Sequence, residues 1–162
     1  MRLLALGGAG RICREALLDV VTHGQATEIV VTDAHEAAGR AVAAGLNDPR
    51  VSFQALDVAD RTRTVAALRG FDVVMDGLTI ALNGPAAAAI AEAGCHGVNL
   101  NGFGEEKQSD ATFRAAGKIM VAGFGMTPGT TNLMAMHAAN QLDRVEAVRV
   151  SHGAYRPIAF SA

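Results

Sequence analysis

The chain has 162 residues, about one domain, and can bury a useful core without disulfides or metal. Half of it is hydrophobic but only 4% aromatic, so Ala, Val, Leu and Gly do most of the packing, and a net charge of −2 gives no basic excess for nucleic acid or an anionic membrane surface. Cys13 and Cys95 form no CxxC or Cys/His ligand spacing, and the apolar start at 1–6 is too short for a signal or membrane segment, so the expected location is the cytoplasm with reduced thiols.

Short apolar runs alternate with helical patterns along the chain. Residues 3–6 read as a buried strand closed by glycines. Residues 11–23 place Ile12, Ala16, Leu17, Val20 and Val21 at helical spacing, and Gly24 stops them. A β-branched strand at 28–32 ends at Asp33, an Ala-rich helix covers 35–46, and Asn47-Asp48-Pro49 turns the chain. A third strand is expected at 51–56, then a helix at 60–69 with Asp60 as its cap. A fourth strand is expected at 71–75. Asn83 reads as the cap of a helix at 83–93, with Pro85 in its first turn. A fifth strand at 96–100, a helix at 108–116 and a sixth strand at 118–122 follow. Thr127 with Pro128 then reads as the start of a helix reaching 142, before a last strand at 145–151. This alternation predicts an α/β domain, a doubly wound and mostly parallel sheet with helices on both faces.

The first turn carries the chemistry. Leu6-Gly7-Gly8-Ala9-Gly10-Arg11-Ile12-Cys13 sets Gly8, Gly10 and Cys13 on the G-x-G-x-x-G/A template. Gly8 permits the tight turn, Gly10 lets backbone approach a diphosphate, and the small Cys13 suits close helix–strand packing. A helix beginning at Arg11 and Ile12 aims its N–H groups and positive dipole end at phosphate. Alone the template is weak. Here it joins a first strand to a first helix, and Asp33 closes the second strand about 20 positions after Cys13, the offset at which a carboxylate meets a ribose. That context identifies a Rossmann-type dinucleotide site. Asp33 would repel a 2′-phosphate by on the order of 4 kcal/mol, so NAD is favoured over NADP. Asp57, after the third strand, reads either as a residue bordering the adenine or as a turn or cap residue. Gly77, Leu78 and Thr79, after the fourth, are placed to line the path toward the nicotinamide, because ligands lie beyond the carboxyl ends of such strands.

A second glycine-rich loop, Gly123-Phe124-Gly125-Met126-Thr127-Pro128-Gly129-Thr130-Thr131-Asn132, again follows a strand. Together with Gly7-Gly8-Ala9-Gly10 and the stretch from Gly84-Pro85 to Ala93-Gly94-Cys95-His96-Gly97-Val98, it resembles the N-terminal domain of the saccharopine dehydrogenase/reductase family. That family includes lysine 6-dehydrogenase and carboxynorspermidine dehydrogenase. The resemblance covers nearly the whole chain, and Pro128-Gly129-Thr130-Thr131-Asn132 is its most distinctive part. It departs at Cys13, where Gly is usual, and at Asn99-Leu100-Asn101, where an Asp is common. It implies an oxidoreductase that uses NAD(P) to oxidise an amino acid or secondary amine at a CH-NH or CH-NH2 group. Family chains continue into a substrate and dimerisation domain. The expected division is therefore a dinucleotide-binding domain at 1–152 and the start of a substrate domain at 153–162, inactive as it stands, with a small amino-acid-type substrate and a homodimer as partners.

No catalytic residue is named from the sequence. The five histidines, His23, His35, His96, His137 and His152, show no HxxxH or HExxH pattern, so no metal is expected. Met126, Met134 and Met136 read as core or interface fillers. The only tyrosine, Tyr155, has Ala159 four positions on, which excludes the Tyr-x-x-x-Lys pair of self-contained short-chain enzymes. The competing reading is a nucleotide-sensing regulatory module of the same fold with no chemistry of its own.

Overall fold

A computed structural model describes residues 1–101, 104–151 and 153. Its core is a parallel sheet of β1 (Arg2–Leu6), β2 (Glu28–Asp33), β3 (Val51–Ala55), β4 (Val73–Asp76), β5 (His96–Asn99) and β6 (Met120–Val121), in the order β3-β2-β1-β4-β5-β6. The predicted doubly wound sheet is what forms. Its helices are α1 (Arg11–His23), α2 (Glu36–Leu46), α3 (Arg61–Leu68), α4 (Ile80–Ala93), α5 (Asp110–Ala115) and α6 (Thr130–Ala139), with a 3-10 helix at Glu105–Ser109.

The strands are apolar on both faces, as a sheet covered twice requires. Leu3, Ala5, Ile29 and Val31 pack with Cys13 and Leu17 of α1 on one side. Leu4, Leu6, Val30 and Val74 pack with Val65 and Leu68 of α3, Ala86 and Ile90 of α4, and Phe113 of α5 on the other. Small residues let the layers close. A Cβ on Gly39 of α2 would sit inside the Phe53 ring of β3, and Arg40 lies over that ring at 5.2 Å.

Several boundaries differ from the sequence reading, each for a physical reason. Helix α4 starts at Ile80 with Thr79 as its N-cap, four residues ahead of Asn83, because the Asn83 side chain is drawn inward and buried against Asp76 and so caps nothing. Helix α6 begins after Gly129: Thr130 N–H donates back to Gly125 O at 2.8 Å, so Thr127 and Pro128 belong to the loop. The helix ends at Ala139, short of 142. Residues 145–151 form no strand: among the described residues the sheet ends at the two-residue β6. The expected helix at 108–116 divides into the 3-10 helix and α5. Asp60 does cap α3, its Oδ1 accepting from Arg63 N–H at 3.0 Å. His152, Tyr155 and the expected start of a substrate domain at 153–162 lie outside the described residues, apart from Gly153. Among the described residues no helix is long and apolar enough to cross a membrane.

Candidate functional site

The carboxyl ends of β2, β1, β4 and β5 form one row. Thr32 is in register with Leu6, Leu6 with Asp76, and Asp76 with Asn99. Strand order reverses between β1 and β4, so the loops leaving these two strands diverge and open a crevice. The predicted site residues lie at these strand ends, on the loops that leave them or in the first turn of α1, except Asp57, which follows β3.

Gly7 turns out of β1 at a φ of 64°, in the left-handed region, and Gly10 N–H closes on Gly7 O at 3.0 Å. Gly8 N–H donates to Thr32 O at 2.8 Å, which presses the turn against β2; a Cβ there would reach 2.6 Å from the Val31 Cγ1. Gly10 is the N-cap of α1, and no side chain caps it. A Cβ on Gly10 would meet Gly7 O at 3.1 Å. The helix start with Arg11 and Ile12 is exposed, with Ile12 64% accessible. Bare backbone, an exposed first turn and no competing side-chain cap fit a diphosphate. Cys13 points the opposite way. It is buried on the Gly77 backbone, where a Cβ would approach its Sγ to 2.8 Å, and burial first, with the nearby Asp76 and Asp33 charges, pushes its thiol up to about 12.

Asp33 sits across this turn, half-buried at the end of β2. Its Oδ2 accepts from Ala9 N–H at 3.1 Å and its Oδ1 from His35 N–H at 2.8 Å. A carboxylate has about four acceptor positions, so two remain for hydroxyl donors. Asp57 is exposed and closes its own turn by accepting from Ala59 N–H at 2.9 Å. Across the crevice, Gly77 N–H donates to Leu6 O at 3.0 Å, Leu78 is half-buried over the core, and Thr79 is exposed at the head of α4. The structure thus brings Gly8, Gly10, Arg11, Ile12 and Asp33 to one side of the crevice and Gly77, Leu78 and Thr79 to the other, with Asp57 farther out beyond β3.

A polar cluster beneath the second side was missed in the sequence. Asp76, 1% accessible, accepts from Leu78 N–H through Oδ1 at 3.0 Å and from Asn83 Nδ2 through Oδ2 at 2.9 Å. Asn101 Nδ2 donates to Asn83 Oδ1 at 2.8 Å and more distantly to Leu78 O. Asn99 donates to Glu106 Oε1 at 2.8 Å and accepts from Gly123 N–H at 3.1 Å; Glu106 Oε2 accepts from Gly104 N–H. Burial raises the Asp76 carboxyl above the usual range, opposed by hydrogen bonds from Leu78, Asn83 and Asn99 and aided by the Glu106 charge. Polar residues at strand ends read as turn formers, which hid the cluster. The usable signal was their number, an Asp, three Asn and a Glu clustered around the ends of two adjacent strands. The 123–132 loop joins the same region, because Phe124 N–H donates to Asn99 O at 2.9 Å.

Comparison with known proteins identifies the family and the fold. Residues 3–122 match the model of the saccharopine dehydrogenase NADP binding domain. Among solved structures, the chain is similar to an apo saccharopine dehydrogenase (L-Glu forming) from Saccharomyces cerevisiae, with a TM-score of 0.75 at 17% identity over 87% of this chain and 31% of that one. It is also similar to AtPrR2 with NADP+ and (+)pinoresinol, with a TM-score of 0.56 at 17% identity over 74% of this chain and 49% of the other. A third is a DesIV double mutant, a dTDP-glucose 4,6-dehydratase from Streptomyces venezuelae with NAD and DAU bound, with a TM-score of 0.51 at 22% identity over 71% and 51%. These likenesses show the fold, and the chain spans about a third of the length of the yeast enzyme. With the family match extending over most of its residues, the chain belongs to the saccharopine dehydrogenase NADP-binding domain family, a Rossmann-type domain for a nicotinamide dinucleotide.

Proposed function

We propose that the crevice holds NAD(H) in a defined orientation. Gly8, Gly10, Arg11 and Ile12 surround the diphosphate, Asp33 takes the adenosine ribose hydroxyls, Asp57 borders the adenine, and Gly77, Leu78 and Thr79 face the nicotinamide. The observation that carries this reading is the Asp33 carboxylate, tied to Ala9 N–H of the glycine turn at 3.1 Å with acceptor positions to spare. A 2′-phosphate beside it would meet a like charge at a cost on the order of 4 kcal/mol, which favours NAD although the family model is named for NADP. Calorimetric titration of NADH and NADPH tests this. Tighter NADH binding is expected, and tighter NADPH binding would overturn the reading of Asp33.

The larger reading is an oxidoreductase that moves a hydride between this cofactor and an amino acid or secondary amine. The nicotinamide, when bound, supplies the hydride acceptor; this chain supplies its seat. No side chain described here is placed as the proton-transfer group, so the chain alone is expected to bind cofactor with little turnover. A dehydrogenase assay with lysine and with saccharopine checks that, and clear turnover would refute it. Helix α6 buries no residue and exposes Leu133, Met134 and Met136, which supports pairing with a second copy. Sedimentation as a monomer at every concentration tested would count against pairing.

A further inference from the structure

We infer that Asp76 is a positioning residue for the nicotinamide side of the crevice, acting through Asn83 and Asn101 on the main chain of Leu78. The inference rests on the cofactor orientation proposed above. Leu78 is held from both sides. Its N–H donates to Asp76 Oδ1 at 3.0 Å, and its main-chain O accepts from Asn101 Nδ2 at 3.4 Å. The same Asn101 Nδ2 donates to Asn83 Oδ1 at 2.8 Å, and Asn83 Nδ2 donates to Asp76 Oδ2 at 2.9 Å. Asp76, Leu78, Asn101 and Asn83 therefore close a ring of hydrogen bonds. Asp76 is 1% accessible and Asn83 2%, so a partner lost in that half of the ring is not replaced by solvent. Leu78 also reaches the diphosphate turn: a Cβ on Gly7 would meet Leu78 Cδ2 at 3.1 Å and Gly77 O at 3.2 Å. Leu78 thus stands at the boundary between the phosphate end and the nicotinamide end of the proposed ligand.

The ring has a direction, and Asp76 sets it. Leu78 O requires a donor, so Asn101 turns its NH2 group toward both Leu78 O and Asn83. Asn83 then presents its oxygen to Asn101 and its NH2 group to position 76, where only an acceptor fits. A carboxyl offers one oxygen to Leu78 N–H and the other to Asn83. An amide has a single oxygen. With Asn at 76, that oxygen goes to Leu78 and the new NH2 group meets the NH2 group of Asn83. Turning Asn83 and Asn101 over relieves that clash but sets the Asn101 oxygen against Leu78 O. No arrangement of three amides satisfies the ring, so Leu78 gives way. The glycine turn keeps its own ties. Gly8 N–H is bonded to Thr32 O and Ala9 N–H to the Asp33 carboxyl, both in β2, and Gly10 N–H to Gly7 O. A displaced Leu78 therefore weakens the nicotinamide half of the site and spares the adenosine half.

The test measures NADH and ADP as separate probes by calorimetry at neutral pH in Asp76→Asn, in Asn83→Asp and in the two combined, with thermal unfolding of each variant as the control on folding. Asp76→Asn sets donor against donor, and Asn83→Asp sets acceptor against acceptor. In each, NADH affinity should fall about tenfold or more while ADP affinity stays unchanged. The double variant exchanges the carboxyl and the amide. The new amide at 76 donates to the new carboxyl at 83, which still accepts from Asn101, so NADH affinity should return close to that of the unaltered chain. Asn101→Ala, at a half-buried position, frees Leu78 O from the other end. It should weaken NADH and spare ADP, and it decides the matter where a change at 76 or 83 prevents folding. Folded single variants that bind NADH as the unaltered chain does, parallel losses for NADH and ADP, or a folded double variant no better than the single ones would overturn the inference while leaving the cofactor reading intact. Failure of the unaltered chain to bind NADH at all would remove both.

Discussion

Gly77 and Cys13 show how single atoms set the crevice. The Cys13 side chain occupies the space a Cβ on Gly77 would need, with Sγ at 2.8 Å and Cβ at 2.9 Å, so each residue is small because of the other. Gly77→Ala should destabilise the fold by about 1–3 kcal/mol through overpacking, read by urea unfolding. In a Cys13→Gly background that cost should shrink, and the difference measures the coupling. The Cys13 thiol, pushed up to about 12, should not react with a thiol reagent at pH 8 until the chain unfolds; rapid native-state labelling would contradict its burial. At Asp33, substitution by Asn leaves one acceptor oxygen for two backbone donors and a ribose, and NADH affinity should fall roughly tenfold. Much at this scale was legible in the sequence. The Gly8–Gly10 turn and the Asp33 offset are local patterns. The Cys13–Gly77 contact was not legible, because it joins residues on different strand-to-helix turns.

At the scale of elements, local signals succeeded where the partner was local. Asp60 caps α3 because Arg63 is three residues on, and Asp60→Ala should cost about 0.5–2 kcal/mol by thermal or urea unfolding. They failed where the partner was distant. Asn83 has the chemistry of a cap, but Asp76 and Asn101 claim its side chain, and Thr79 takes the cap position. Residues 145–151 have strand-like composition, but composition does not supply a neighbouring strand. Far from the crevice, Arg50 binds Asp48 Oδ2 at 2.8 Å and the main-chain oxygens of Val21 and Ala26, fastening the end of α1 to the start of β2. The side-chain hydrogen bond from Arg50 holds the Asp48 carboxyl down at about 2. A depressed carboxyl stabilises above its unfolded value and loses that stabilisation as pH falls toward the folded one. The contribution should therefore disappear between about pH 4 and about pH 2, and Asp48→Asn should flatten the stability profile in that window.

For the whole molecule, burial is uneven. Asp76 runs opposite to Asp48. Its raised carboxyl favours the protonated form, so its share of stability is full in acid and declines as pH rises above the ordinary carboxylate range. The sheet and its helices are complete around β1, whereas α6 and the segment after it leave Met134, Leu142, Val148 and Val150 more than half accessible. An environment-sensitive dye such as ANS should bind this end, and Met134→Lys with Leu142→Lys should reduce its fluorescence without lowering the melting temperature. The sequence conveyed the layered architecture because periodicity reports burial. It did not convey that α6 stays uncovered, since an apolar helix reads the same whether or not anything lies on it.

The placement of β1 has a consequence for synthesis. Arg2 and Asp72, bonded at 2.6 Å, are 70 positions apart, and the strand that starts the chain is the seam between the two halves of the sheet. A nascent chain emerging from the ribosome can assemble β1, β2 and β3 early, yet one flank of β1 stays bare until β4 is translated. Pausing before that point would leave a sticky, half-zipped ribbon, the stretch of translation in which a chaperone would matter most.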